Sequence, residues 1–160
     1  MRVLLFVMTG LIAGCSKQPS SPAAPSTPVA APAPDRPFFE RLVAEAAQRD
    51  KADPSTTRVL AAFQAAGLPL ETQRQHLGQA IGAAHCLMLN TSHHVTLSVC
   101  EFSDERSAAL GAETSQRALQ QIAGRSVHVK RSTVLSVIDS QADDASRQTA
   151  RKALEAFDTL

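Results

Sequence analysis

Tryptophan and tyrosine are both missing from this chain, and only six phenylalanines supply its aromatic surface. Stacking platforms for single-stranded nucleic acid and aromatic sugar clefts rest on exposed rings, so both are disfavoured from the start. Charge is equally unremarkable in amount: 16 Lys and Arg stand against 15 Asp and Glu, which leaves no bulk field to steer a nucleic acid or an anionic surface. Cysteine is scarce, at three. Catalytic signatures are also lacking, for the sequence holds no GxSxG elbow, no HExxH, no CxxC and no glycine-rich phosphate loop. No catalytic residue and no cofactor is therefore nominated.

What the chain does have is an uneven distribution. Arg2 precedes an apolar run, Val3 to Met8, and the run closes on Leu11-Ile12-Ala13-Gly14-Cys15. A positive start, an apolar stretch too short to span a bilayer and a small-residue junction make a signal peptide rather than a membrane helix. The Leu11 to Cys15 segment resembles the lipobox of bacterial lipoproteins. The resemblance covers residues 1 to 15 and implies cleavage before Cys15, with lipidation of the Cys15 sulfur. The 160 residues less 14 would leave 146, held by acyl chains that each contribute about 0.8 kcal/mol per buried methylene. Ser16, rather than Asp, after the cysteine resembles the outer-membrane-directed pattern and implies a domain facing the periplasm.

Residues 16 to 37 carry Pro19, Pro22, Pro25, Pro28, Pro32, Pro34 and Pro37, seven of the nine prolines in the chain. Proline at this spacing removes backbone donors and blocks helix, so a polyproline II tether is expected, reaching at most roughly 70 Å at about 3.1 Å per residue. The expected organisation is signal peptide 1–14, lipidated cysteine and tether 15–37, and one domain over 38–160.

Within the domain, helical spacing of Phe39, Leu42, Val43 and Ala46 predicts a first helix over 38–49. Asp53-Pro54 and Gly67 frame a second, with Val59, Leu60, Phe63 and Ala66 inward. Residues 68 to 84 stay open between helix, loop and strand, because Gly78 and Gly82 interrupt a helical reading of Thr72 to Ile81. Then the period becomes two. His85 to Asn90 and Val95 to Phe102 flank a polar turn, and a hairpin paired about His93 sets Leu87 and Leu89 against Val99 and Leu97 on the core face. A helix follows from Ser103-Asp104-Glu105 to about Ala123, then a second hairpin, Ser126 to Lys130 with Thr133 to Asp139, paired about Ser132. A last helix capped by Ser140 ends the chain. Leu97-Ser98-Val99 recurs as Leu135-Ser136-Val137. The fold class expected is α+β: two helices, then a ββα-ββα unit whose four-stranded antiparallel sheet has the last two helices on one face. Its other face, with Cys86, Met88, Thr96, Ser98, Cys100, His128, Lys130, Val134 and Ser136, is covered by the N-terminal helices or open for binding.

Cys86 and Cys100 oppose each other in this register, and in an oxidising compartment they are expected to form a disulfide. The alternative is a metal or redox site using Cys86, Met88 and Cys100, since sulfur suits Cu(I) or Zn(II). His85 points to the opposite face, and His93 and His94 fall in the turn, so the spacing does not favour it. Asp143 and Asp144 at a helix head complement its dipole. The functional expectation is a membrane-anchored envelope lipoprotein with a non-catalytic binding or scaffolding domain. Its partners are the membrane, through the lipid, and an envelope protein, with no nucleic acid. A metal-handling or redox lipoprotein, or a hydrolase with an unrecognised site, are the alternatives.

Overall fold

The computed structural model describes residues 37–160, so the expected leader, lipobox and all of the tether but Pro37 lie outside the described residues. The described chain is a mixed α/β domain of four helices and one five-stranded antiparallel sheet: α1 (Phe38–Ala46), α2 (Thr56–Ala65), β1 (Leu70–His76), a 3-10 turn (Gln79–Ile81), β2 (His85–Thr91), β3 (Val95–Glu101), α3 (Glu105–Ala118), β4 (Arg125–Lys130), β5 (Thr133–Asp139) and α4 (Asp144–Asp158). Strand order is β1-β2-β3-β5-β4. None of these helices is long and apolar enough to cross a membrane.

The expected sheet had four strands, and the fifth is β1, drawn from the segment left open. Its sequence, Leu-Glu-Thr-Gln-Arg-Gln-His, is polar on both sides because it is an edge strand, with Glu71, Thr72, Gln73 and Arg74 exposed. Charged edges of this kind discourage pairing with other chains.

The β2–β3 pairing is the one read from the sequence, with Cys86 opposite Cys100, Leu87 opposite Val99 and Leu89 opposite Leu97. The next hairpin is displaced by one residue. Lys130 pairs with Thr133 rather than Val134, through a two-residue turn in which Arg131 has a φ of 49°. A one-residue shift inverts the strand, so His128 and Lys130 belong with Leu135 and Thr133 on the first face, and Val127 and Val129 take their places on the second.

Helices cover both faces, not one. Val59 and Phe63 of α2 and Ala153, Ala156 and Phe157 of α4 close the first face over Leu87, Leu89, Leu97, Val99, Leu135 and Val137. On the second face, Ala108 and Ala112 of α3 pack with Cys86, Cys100, Phe102 and Val134. The small side chains of α3 let it lie close: Gly111 faces the Phe102 ring so tightly that a Cβ there would collide with it. The recurring Leu-Ser-Val triplets meet as partners, Ser98 opposite Ser136 at the centre of the β3–β5 ladder. The likeness stops at the strands, since the helices after them go to opposite faces.

Helix ends obey capping chemistry more than the sequence reading allowed. Ser55, not Asp53, caps α2, its side chain accepting from Arg58 N, and the Asp53-Pro54 peptide is cis. Asp143, not Ser140, caps α4 by accepting from Ser146 N, and α3 ends at Ala118. α1 ends at Ala46 rather than 49, and its apolar stripe is not its covered side. Phe39 is 77% exposed and Val43 71%; the helix instead turns Arg41, Leu42 and Glu45 toward the domain. The Glu45 carboxylate accepts from Gly78 N and Gln79 N, and Gln75 Nε2 donates to Leu42 O. Polar anchoring overrides the apolar stripe.

Candidate functional site

The second sheet face divides in two. Near Cys86 and Cys100 it is roofed by α3 and the 3-10 turn, whereas Met88, Asn90, Thr96, Ser98, Ser136 and Ile138 are only half-buried. β-Alternation puts all of these on one side of the sheet. On the opposite side of the same strands every position but Asp139 is buried.

At the boundary lies the disulfide. Cys86 of β2 and Cys100 of β3 are bonded, with Cα atoms 4.1 Å apart. Gly78 rests on it: a Cβ at that position would stand 2.8 Å from Ala83 Cβ and 2.9 Å from Cys86 Sγ. His76, opposite Cys86 in the β1–β2 ladder, shares its face. One ring nitrogen of His76 and both sulfurs lie within 4.8 Å of one another. His76 Nε2 is 2.8 Å from Ser98 Oγ, which is 3.7 Å from Cys100 Sγ. A polar row then continues across the sheet, from Ser136 to Arg125 Nη2 at 3.1 Å and from Arg125 to Ser115. Burial lowers the His76 pKa from its ordinary value, against the opposing pull of a hydrogen bond to the Leu77 backbone and of the Glu45 charge.

The sulfur-based candidates Cys86, Met88 and Cys100 thus share a face, but the imidazole beside the sulfurs belongs to His76, which the sequence reading missed. His93 is engaged elsewhere, its Nδ1 2.8 Å from Thr149 Oγ1 of α4. Asp143 and Asp144 stand at the head of α4, where Asp144 also pairs with Arg147 at 3.1 Å.

A second polar cluster sits on the first face, where His85 pairs with Glu101 across the ladder. Glu101 is 1% exposed. Its Oε1 accepts from Thr56 N at the start of α2, where an anion complements the helix dipole. Glu101 Oε2, Thr56 Oγ1 and His85 Nδ1 have no hydrogen-bond partner among the described residues, and Glu101 borders a cavity of about 260 Å³ with Lys51, Ala84 and Phe102. The signal for this cluster was in the sequence: Glu101 continues the parity of Leu97 and Val99, as His85 does that of Leu87 and Leu89.

Burial lowers the His85 pKa, with Arg49 adding to the effect and Glu101, Glu45 and Asp50 opposing it. Both lowered histidines bind protons less readily folded than unfolded. Their contribution is complete above the ordinary value of 6.5 and shrinks as pH falls below it. The urea midpoint is expected to drop between about pH 7 and pH 5, and His85→Gln should flatten part of that drop. A midpoint rising on acidification would contradict the burial of these rings.

No family model, no curated protein and no solved structure matches this chain. The site rests on its own chemistry.

Proposed function

We propose that this protein is a lipid-anchored lipoprotein of the bacterial cell envelope, directed to the outer membrane and facing the periplasm, whose small domain binds or scaffolds an envelope partner without catalysing a reaction. The lipobox ending at Cys15 supports the anchor and the proline-rich segment the tether. The observation that carries the binding role is the half-covered second face, where Met88, Asn90, Thr96, Ser98, Ser136 and Ile138 form a mixed polar and apolar floor. Such a floor offers apolar area together with hydrogen-bonding groups, the composition of non-obligate interfaces.

A photoreactive residue placed at Thr96, on the open floor, tests the reading in intact cells. A discrete adduct at Thr96, with none from the same residue at exposed Lys152 on α4, is expected. Equal or no crosslinking from the two positions would count against a binding face.

A further inference from the structure

The disulfide and His76 form a more specific arrangement than a structural staple requires. We propose that Cys86, Cys100 and His76 constitute a redox-gated zinc site, closed when the cysteines are bonded and able to take one Zn(II) when they are reduced. The proposal goes beyond the binding reading and does not depend on it.

Three observations carry it. The potential ligand atoms, one imidazole nitrogen and two sulfurs, already lie within 4.8 Å of one another. Zinc takes such donors at about 2.0 to 2.3 Å, so small side-chain rotations suffice to bring all three to one ion. The imidazole is also held at the site: His76 Nε2 lies 2.8 Å from Ser98 Oγ, and if Nε2 is the ligand, that hydrogen bond is exchanged for the metal. Finally, the surroundings suit a neutral complex. Two thiolates cancel the charge of Zn(II), and a site with no net charge is the kind that the buried corner under α3 tolerates. Three protein ligands leave a fourth position for water or another ligand.

The gating step balances as thiol–disulfide exchange. A dithiol donor gives two electrons and two protons to the Cys86–Cys100 bond, becoming a disulfide itself while both cysteines become thiols. Binding Zn(II) then releases the two thiol protons to solvent. A disulfide oxidant reverses the sequence, taking two electrons from the thiolates and two protons from solvent to become a dithiol, and the ion is expelled because the sulfurs can bond to each other or to the metal but not both.

The test uses the full-length protein in detergent. The oxidised chain and a chain reduced with a dithiol, then freed of it under anoxic conditions, are titrated with Co(II) as a spectroscopic stand-in and then with Zn(II). The reduced protein should gain thiolate-to-cobalt charge transfer and the intense visible bands of a tetrahedral site, saturating at one ion per chain and displaced by one Zn(II). The oxidised protein should show neither. His76→Gln keeps the disulfide and a hydrogen-bonding group toward Ser98, so it should fold, but its reduced form should bind Zn(II) at least about tenfold more weakly. Circular dichroism runs alongside. If reduction loosens the fold, Zn(II) should restore it, since metal binding to the native arrangement stabilises that state. The proposal is overturned if the folded protein resists reduction, if the reduced chain binds no stoichiometric metal, if Zn(II) fails to restore a loosened fold, or if His76→Gln binds as tightly as the parent.

Discussion

Replacing Leu97 with Asp is expected to unfold the domain. Leu97 is fully buried between β2 and β5, among Leu89, Val137 and the α2 and α4 side chains. A carboxylate there would lose water without gaining a partner, a penalty of several kcal/mol beside a total domain stability of about 5 to 15 kcal/mol. Thr96→Asp, one residue away, points to the half-open second face and should lose mainly the hydrogen bond from Thr96 Oγ1 to Asn90 Oδ1, on the order of 1 kcal/mol. Urea unfolding monitored by circular dichroism separates the two. Comparable losses, or a larger loss from Thr96→Asp, would mean that the face assignment is inverted.

Removing the disulfide is expected to cost less than Leu97→Asp but still a large part of the domain's stability. Its cysteines are 14 apart in sequence, and closing a loop of that size stabilises by about 3 kcal/mol in the chain-entropy model. The double variant Cys86→Ala, Cys100→Ala should therefore lose about 3 kcal/mol, with more from the volume left under Gly78 and Ala83, sites already in contact with the sulfur region. A loss below about 1 kcal/mol, measured by the same unfolding curves, would show that packing alone holds this corner of the sheet and that the bond contributes little to the fold.

The two central strands were legible in the sequence because one of their faces has an apolar middle, Leu87 and Leu89 on one strand and Leu97 and Val99 on the other. The polar turn between them leaves one sensible pairing, which also brings Cys86 to Cys100. β1 was illegible for the converse reason: as an edge strand, its alternation carries no apolar signal. The second hairpin was misplaced because its turn uses Arg131 at positive φ, where neither glycine nor asparagine marks the tight turn. With Val127 and Val129 on one side and His128 and Lys130 on the other, the strand itself could not correct the error. α1 shows the limit of helical periodicity, since the Glu45 carboxylate on two backbone N–H groups decides which side faces inward. His76 went unnoticed because it closes the strand that could not be read, so the imidazole beside the sulfurs became visible only in three dimensions. Placement of α3 and α4 on opposite faces turns on packing of small residues against Phe102 and of Phe157 against the Leu135 side, a choice that strand-strand-helix order leaves undetermined.

The proposed attachment to the envelope through Cys15 is tested most directly by detergent phase partitioning. The full-length protein expressed in bacteria with labelled palmitate should carry label and enter the detergent phase. Cys15→Ser should carry none and move to the aqueous phase, with the domain still folded by circular dichroism. Equal partitioning of the two chains, or label retained by Cys15→Ser, would contradict the lipoprotein reading.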